Sequence, residues 1–208
     1  MSRLDHVIFA VRDLDLAAER LFRDHGLEAQ PGGVHGDAGS GNLYVPLGED
    51  QYIELLAITN PASTHPMVQA LKRVLADGDR LMNFSITSED IQVEAARLGE
   101  PVFDVETHSN DGEHDIAFRL TGVSGIVGRQ LLPYFIQTTS GREWRGGALT
   151  PNHRVSPRGV GRVEYGGDQE SVARRIDDPD FPIDVVAGRP GLAAIWIKTN
   201  GADIELRA

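Results

Sequence analysis

His6 and Glu54 are the two side chains whose surroundings call for a chemical explanation. His6 stands in "LDHVIFAVRDL", residues 4–14, among Leu4, Val7, Ile8, Phe9, Ala10 and Val11, and Glu54 stands in the equally apolar "QYIELLAI". A buried imidazole or carboxylate costs a few kcal/mol unless it is partnered. Two readings follow: a neutral His–Glu pair that ties two strands together, or a site for a ligand or a metal ion. The chain has no cysteine, so a metal would rest on His, Asp, Glu or amide oxygens. Such an ion would act as a Lewis acid on a substrate that presents two neighbouring oxygens.

The elements that position these residues recur along the chain. Residues 4–12 read as a strand, and "DLDLAAERLFRDHG" reads as an amphipathic helix with Leu14, Ala17, Leu21 and Phe22 at helical spacing and Gly26 at its C-terminal cap. After a Gly-rich stretch at 32–41, "NLYVPLG" and "QYIELLAI" form a hairpin across "GED". The pattern then returns. "NFSITSEDI" set under "HVIFAVRDL" places Asn83 beneath His6, and "LLPYFIQTT" set under the strand of Glu54 places Gln137 beneath Glu54. The expected organisation is one α+β domain, 1–208: a first βαβββ unit at 4–58, a linker helix within 59–79, a second unit at 80–138, a loop at 139–159 and a partial third unit at 160–208. One unit alone exposes an unpaired edge and an uncovered sheet face, so two units should pair into a half-barrel cup with helices outside.

Period-two alternation assigns the faces. His6 shares one with Ile8 and Ala10; Tyr52 and Leu56 flank Glu54. In the second unit Asn83, Ser85 and Thr87 oppose Met82, Phe84 and Ile86, a polar stripe suited to lining a cup.

Duplicated units that begin "LDHVIFAVRDL" and close "YIELLAI" resemble the vicinal oxygen chelate superfamily of glyoxalases, extradiol dioxygenases and bleomycin-resistance proteins. "GGVHGDAGSGNLYVPLG" and "PYFIQ" resemble its glyoxalase-like domain proteins in particular. The resemblance implies a metalloenzyme that acts on a small molecule with vicinal oxygens, by isomerase, lyase or ring-cleaving chemistry. It implies metal ligands at His6, Glu54 and Gln137, with Asn83 where a second histidine is common and Gln137 where a glutamate is common. The ion would be zinc, iron, manganese or nickel. Two strong donors hold a catalytic ion poorly, and amide oxygens are weaker. A metal-free protein that sequesters a small molecule in the same cup is therefore the rival reading.

Further residues have a functional reading beside a bland one. His35, in the Gly-rich stretch, is a third ligand or general base, or a solvated loop histidine; Asn42 and Asn83 are contacts that would orient a substrate. His153, in the loop at 139–159, folds over the cup mouth as a substrate contact or stays solvated. Arg142, Arg145 and Arg154 in that loop gate an anionic substrate or, as the favoured reading, keep the loop soluble. "DVETHSNDGEHD" concentrates acids and histidines but reads as an exposed hairpin tip around its "NDG" turn.

Composition narrows the partners. Twenty basic against 31 acidic side chains give a net charge of −11, which repels nucleic-acid phosphate and anionic membranes. No run approaches the roughly 18 apolar residues of a membrane span and no signal-type leader stands at the start, so a cytoplasmic protein is expected. Members of the resembled superfamily pair units within or between chains, which admits a homodimer.

Overall fold

The computed structural model describes residues 2–36, 38–109 and 111–207. In chain order the first unit is β1 (Arg3–Ala10), α1 (Leu14–His25), β2 (Gln30–His35), β3 (Ser40–Gly48) and β4 (Gln51–Ile58), followed by the linker helix α2 (Pro66–Val74). The second unit is β5 (Arg80–Thr87), α3 (Ile91–Leu98), β6 (Phe103–His108), β7 (Asp115–Thr121), the short helix α4 (Val123–Val127) and β8 (Tyr134–Ser140). The third is β9 (Pro157–Gly166), α5 (Gln169–Ile176), β10 (Ile183–Val186), β11 (Gly191–Thr199) and β12 (Ile204–Arg207).

The repeat is visible in the helix caps. Asp13 accepts from the Leu16 amide and Gly26 ends α1 in the left-handed region at φ 70°; Asp90 accepts from the Gln92 amide and Gly99 ends α3 at φ 65°. A short acceptor at the start and a glycine at the end satisfy the groups that a helix leaves unbonded.

Eight strands form one sheet, in the order β2-β3-β4-β1-β5-β8-β7-β6. The two units meet where β1 pairs antiparallel with β5, and Val7 lies opposite Phe84, with His6 opposite Ser85 and Ile8 opposite Asn83. This reciprocal pairing is a local two-fold that makes Asn83 the counterpart of His6, as the sequence alignment had it. The outer pairings give a different result for Glu54. Ile8 lies beside Glu54 in the parallel β1–β4 pair, and its counterpart Ser85 lies beside Tyr134 in the parallel β5–β8 pair. The counterpart of Glu54 is thus Tyr134, not Gln137. The sequence alignment was out by three residues, and an odd slip in a strand sends the side chain to the other face.

Two β-bulges re-aim side chains at this junction. An extra residue in β1 between Leu4 and His6 turns Asp5 to the same side as His6 and leaves Leu4 in the opposite core. A second, in β5, brings Met82 onto the face of Ile8 and Ala10 rather than that of Phe84. Bulges commonly redirect side chains at functional sites.

The two faces are covered differently. On one side Val7, Leu55, Phe84 and Phe135 pack with α1, α3 and the third unit. The third unit supplies its own sheet, β10-β9-β11-β12, and Phe181 stacks on Phe84 at 5.6 Å. On the other, Ile8, Ala10, Leu56 and Met82 pack against Ala70, Leu71 and Val74 of α2 and Ile126 of α4. The expectation of helices outside the cup thus holds for α1 and α3, whereas α2 and α4 cover the face on which His6 lies. Each fully buried aliphatic or aromatic side chain contributes about 1.5–3 kcal/mol, so both layers are needed for one stable domain.

Candidate functional site

His6 is 3% exposed and both ring nitrogens are engaged: Nδ1 lies 2.6 Å from Asp5 Oδ1 and Nε2 lies 2.6 Å from the Tyr134 hydroxyl. The carboxylate can only accept from a ring N–H, which assigns the neutral ring its proton at Nδ1 and leaves Nε2 to accept from Tyr134. Tyr52 stacks on the ring at 4.7 Å. Arg145 reaches down from the loop after β8 and binds both oxygens of Asp5 at 2.8 Å, while also donating to the Tyr52 hydroxyl at 3.0 Å and Thr138 Oγ1 at 2.9 Å.

Burial alone would raise the Asp5 carboxyl, but its bonds to His6 and Arg145 outweigh that and hold it well below the usual carboxylate range. Tyr52 and the two-pronged contact with Asp5 raise Arg145 above an ordinary arginine against its own desolvation. Burial is also the first cause that pushes Tyr52 and Tyr134 well above an ordinary phenol, so both keep their protons.

Glu54 completes the group from β4. Its Oε1 accepts from Asn42 Nδ2 at 2.5 Å, and its Oε2 faces His6 Nε2 at 3.8 Å. Asn42 is held in turn by the Gly33 amide, which donates to its Oδ1 at 2.6 Å. The close strand approach depends on a glycine at 32, where a Cβ would collide with Asn42. Tyr44, beside Asn42, is pushed up to about 12 by burial and by the Glu54 charge. The Glu54 side chain is 14% exposed, the most accessible acid–base group here. Ile58, Met67, Leu120, Val123 and Val127 are partly buried on the same side of the sheet.

The loop after β8 lies across this side as a strap. Gly146 is so close to Tyr44 and Tyr52 that a Cβ would come within 2.8 Å and 3.0 Å of their rings. Trp144 stacks on His114 at 3.5 Å. The reading of Arg145 as a solubilising loop residue is therefore corrected: its side chain is only 11% exposed and is bonded to four side-chain atoms.

Of the residues singled out from sequence, His6, Glu54 and Asn42 come together. Asn83 is fully buried, but its amide bonds the Leu132 carbonyl at 2.8 Å and its own neighbour's amide, Phe84 N, at 2.8 Å. Gln137 does not join them: it faces the helices, donating to the Glu89 carbonyl at 2.5 Å and accepting from Ile91 N at the start of α3. His35 sits at the exposed end of β2, 3.1 Å from Ser40 Oγ, and has no bond to His6 or Glu54. His153 is neither solvated nor at the cup: its Nδ1 accepts from Glu28 N at 2.8 Å and its Nε2 donates to the Pro46 carbonyl at 2.7 Å, which pins the strap to the first unit. The hairpin of β6 and β7 is exposed as expected, though Asn110 of its turn lies outside the described residues, as does Asp37 of the Gly-rich stretch.

Asp5 and Tyr134 were missed, and Arg145 was singled out only as one of three loop arginines, with the solubilising reading favoured. Asp5 adjoins His6 in sequence and alternation assigns it to the opposite face, which only the bulge reverses. Tyr134 could have been found by aligning "YFIQ" to place Tyr134, rather than Gln137, under Glu54. Arg145 carries no local signal.

These donors do not suit a divalent ion. The four positions related by the local two-fold are His6, Glu54, Asn83 and Tyr134; the third is an amide spent on backbone and the fourth a phenol that holds its proton. Two donors remain, and no group of three or more His, Asp or Glu side chains converges among the described residues, whereas catalytic zinc sites use about three protein ligands.

Comparison with known proteins agrees with the fold. A family model described as "Glyoxalase-like domain" matches residues 4–178. A hypothetical protein from Staphylococcus aureus superposes with a TM-score of 0.61 at 16% identity, covering 100% of this chain and 85% of that one. Methylmalonyl-CoA epimerases are more distant: that of Mycobacterium tuberculosis gives 0.46 at 17% identity over 65% of this chain and 85% of its own. A Streptomyces coelicolor one, solved with 2-nitronate-propionyl-CoA, gives 0.47 at 21% over 66% and 95%. No curated protein matches the sequence. With a family model spanning most of its length and paired βαβββ units in one curled sheet, the chain belongs to the glyoxalase-like domain family.

Proposed function

We propose that the cup binds a small oxygenated molecule and that Glu54 exchanges a proton with it, without a metal ion. The observation that carries this reading is the bonded chain Asp5–His6–Tyr134 ending beside a carboxylate whose other oxygen is fixed by Asn42. A general base needs a defined lone pair within reach of the substrate, and Asn42 leaves Glu54 Oε2 as that lone pair. The substrate class implied is a carbonyl compound with a neighbouring oxygen. Glu54 removes the proton from the carbon beside the carbonyl, and the oxyanion that develops accepts a hydrogen bond from the neutral hydroxyl of Tyr44, whose oxygen accepts from Asn42 and whose proton is free among the described residues. Such donors stabilise developing charge more than the ground state. Asp5 and Arg145 neutralise each other, so the pair adds no net charge of its own to the wall behind Glu54.

The test is solvent deuterium incorporation, followed by proton NMR on a panel of 2-oxo acids, 2-hydroxy ketones and 1,2-dicarbonyl compounds. The expected result is exchange at the carbon beside the carbonyl with the native protein and a loss of roughly 100-fold or more in Glu54→Gln. Exchange that survives the substitution would remove Glu54 as the base. The half-buried apolar residues Ile58, Met67 and Leu120 favour a second reading, metal-free sequestration; it gives ligand-induced thermal stabilisation that persists in Glu54→Gln with no exchange by either protein.

A further inference from the structure

A second cavity, remote from the cup, opens where the third unit's sheet meets the start of β5. Its volume is about 570 Å³, within the usual range for small-molecule sites. Arg80 lines it and is 8% exposed. Among the described residues no carboxylate lies within ion-pair distance of this arginine. Its guanidinium meets only two backbone carbonyls, Leu81 at 3.2 Å and Pro190 at 3.5 Å, so most of its five N–H donors are unused.

The acids that line the same cavity are already committed elsewhere. Asp77 binds Arg189 at 2.8 Å, Asp79 binds Arg20 and the Arg12 amide, and Glu164 binds Arg207 at 3.1 Å. Among the described residues Arg80 is therefore the cation in this wall without an ion-pair partner of its own; Asp77, whose charge also acts on it, is paired with Arg189. A buried guanidinium without an anion is costly, and its planar fork matches the two oxygens of a carboxylate or phosphate. Gly166, Ala187 and Gly188 also line it, and beside Gly188 there is open space where a side chain would stand.

We propose that this cavity is an oxyanion site in which Arg80 receives the carboxylate or phosphate end of a small molecule. It is independent of the chemistry at Glu54: Ser85, the β5 neighbour of His6, lies five residues along the strand, about 17 Å away.

The test is amide NMR of the full chain titrated separately with inorganic phosphate and with acetate, against sodium chloride at equal ionic strength. Saturable shifts of the Gly166 and Gly188 amides are expected with at least one oxyanion and not with chloride; which of the two is tighter identifies the headgroup. Arg80→Met should abolish saturation. Arg80→Lys, which keeps the charge and loses the fork, should weaken binding roughly tenfold and serves alone if the methionine variant does not fold. Glu54→Gln should bind as the native protein does. Absence of saturation with both oxyanions, equal response to chloride, or unchanged affinity in the Arg80 variants would overturn the assignment.

Discussion

Asp5 and Arg145 show how much of this site depends on a single backbone irregularity. They form a buried ion pair, with side chains 7% and 11% exposed, and removing one partner strands the other's charge. Asp5→Asn or Arg145→Met should each destabilise the fold by about 3–5 kcal/mol, and the double variant by less than the sum of the two, measured by urea denaturation. The sign of the pH dependence follows from the depressed Asp5 carboxyl. An unfolded aspartate titrates near 3.9, so the stability this group contributes is fully present above about pH 4 and is lost progressively as the pH falls further. The acid limb of a stability–pH curve should therefore be flatter in Asp5→Asn; an unchanged limb would mean that the pair contributes nothing. His6 and Glu54 were legible in sequence because each breaks an apolar strand. Asp5 was not, because alternation assigns it to the wrong face and the bulge that corrects this leaves no mark in composition.

The elements were more legible than the residues they hold. Asp13 with Gly26 and Asp90 with Gly99 bracket two helices at corresponding places, and the repeat follows from them. The strands β2 and β10 were hidden: the first runs through "QPGGVH" and the second is four residues long, so neither shows a period. A linker helix was expected within 59–79 and α2 runs from Pro66 to Val74; the face it covers was not legible, since an amphipathic stripe does not say which side of a sheet it will cover. The strap was legible only as a long loop, because its order comes from contacts far away in sequence. His153 bonds the Glu28 amide and the Pro46 carbonyl at once. His153→Ala leaves two partly buried backbone groups unpaired, costing about 1–3 kcal/mol, and should release the strap locally. Hydrogen exchange at residues 144–154 should quicken while that of β1 and β5 stays as it was; uniform quickening would show that His153 supports the whole fold rather than the strap.

At the scale of the molecule, the partial third unit is part of the core rather than an appendage. Val163, Tyr165, Phe181, Leu192 and Ile195 are buried with Phe84 and Leu81 of the second unit. A chain ending at residue 156 would expose that face, and should lose cooperative thermal unfolding by calorimetry; a sharp transition in the shortened chain would contradict this. The half-barrel was anticipated because the repeat dictates it, and the charge of −11 restricts partners in the same general way. No helix among the described residues is long and apolar enough to cross a membrane. The donor set, by contrast, depended on a three-residue alignment choice that put Gln137 where Tyr134 belongs, whereas the expectation of a metal came from His6, Glu54 and the family resemblance. The most direct test is to strip the untagged protein with chelator, add zinc, manganese, iron(II) and nickel in turn, and follow deuterium exchange into its best substrate. The expected result is exchange that proceeds in the stripped protein and is unchanged by any ion. One equivalent of a divalent ion that is required for exchange, and is lost in both His6→Ala and Glu54→Gln, would contradict the account.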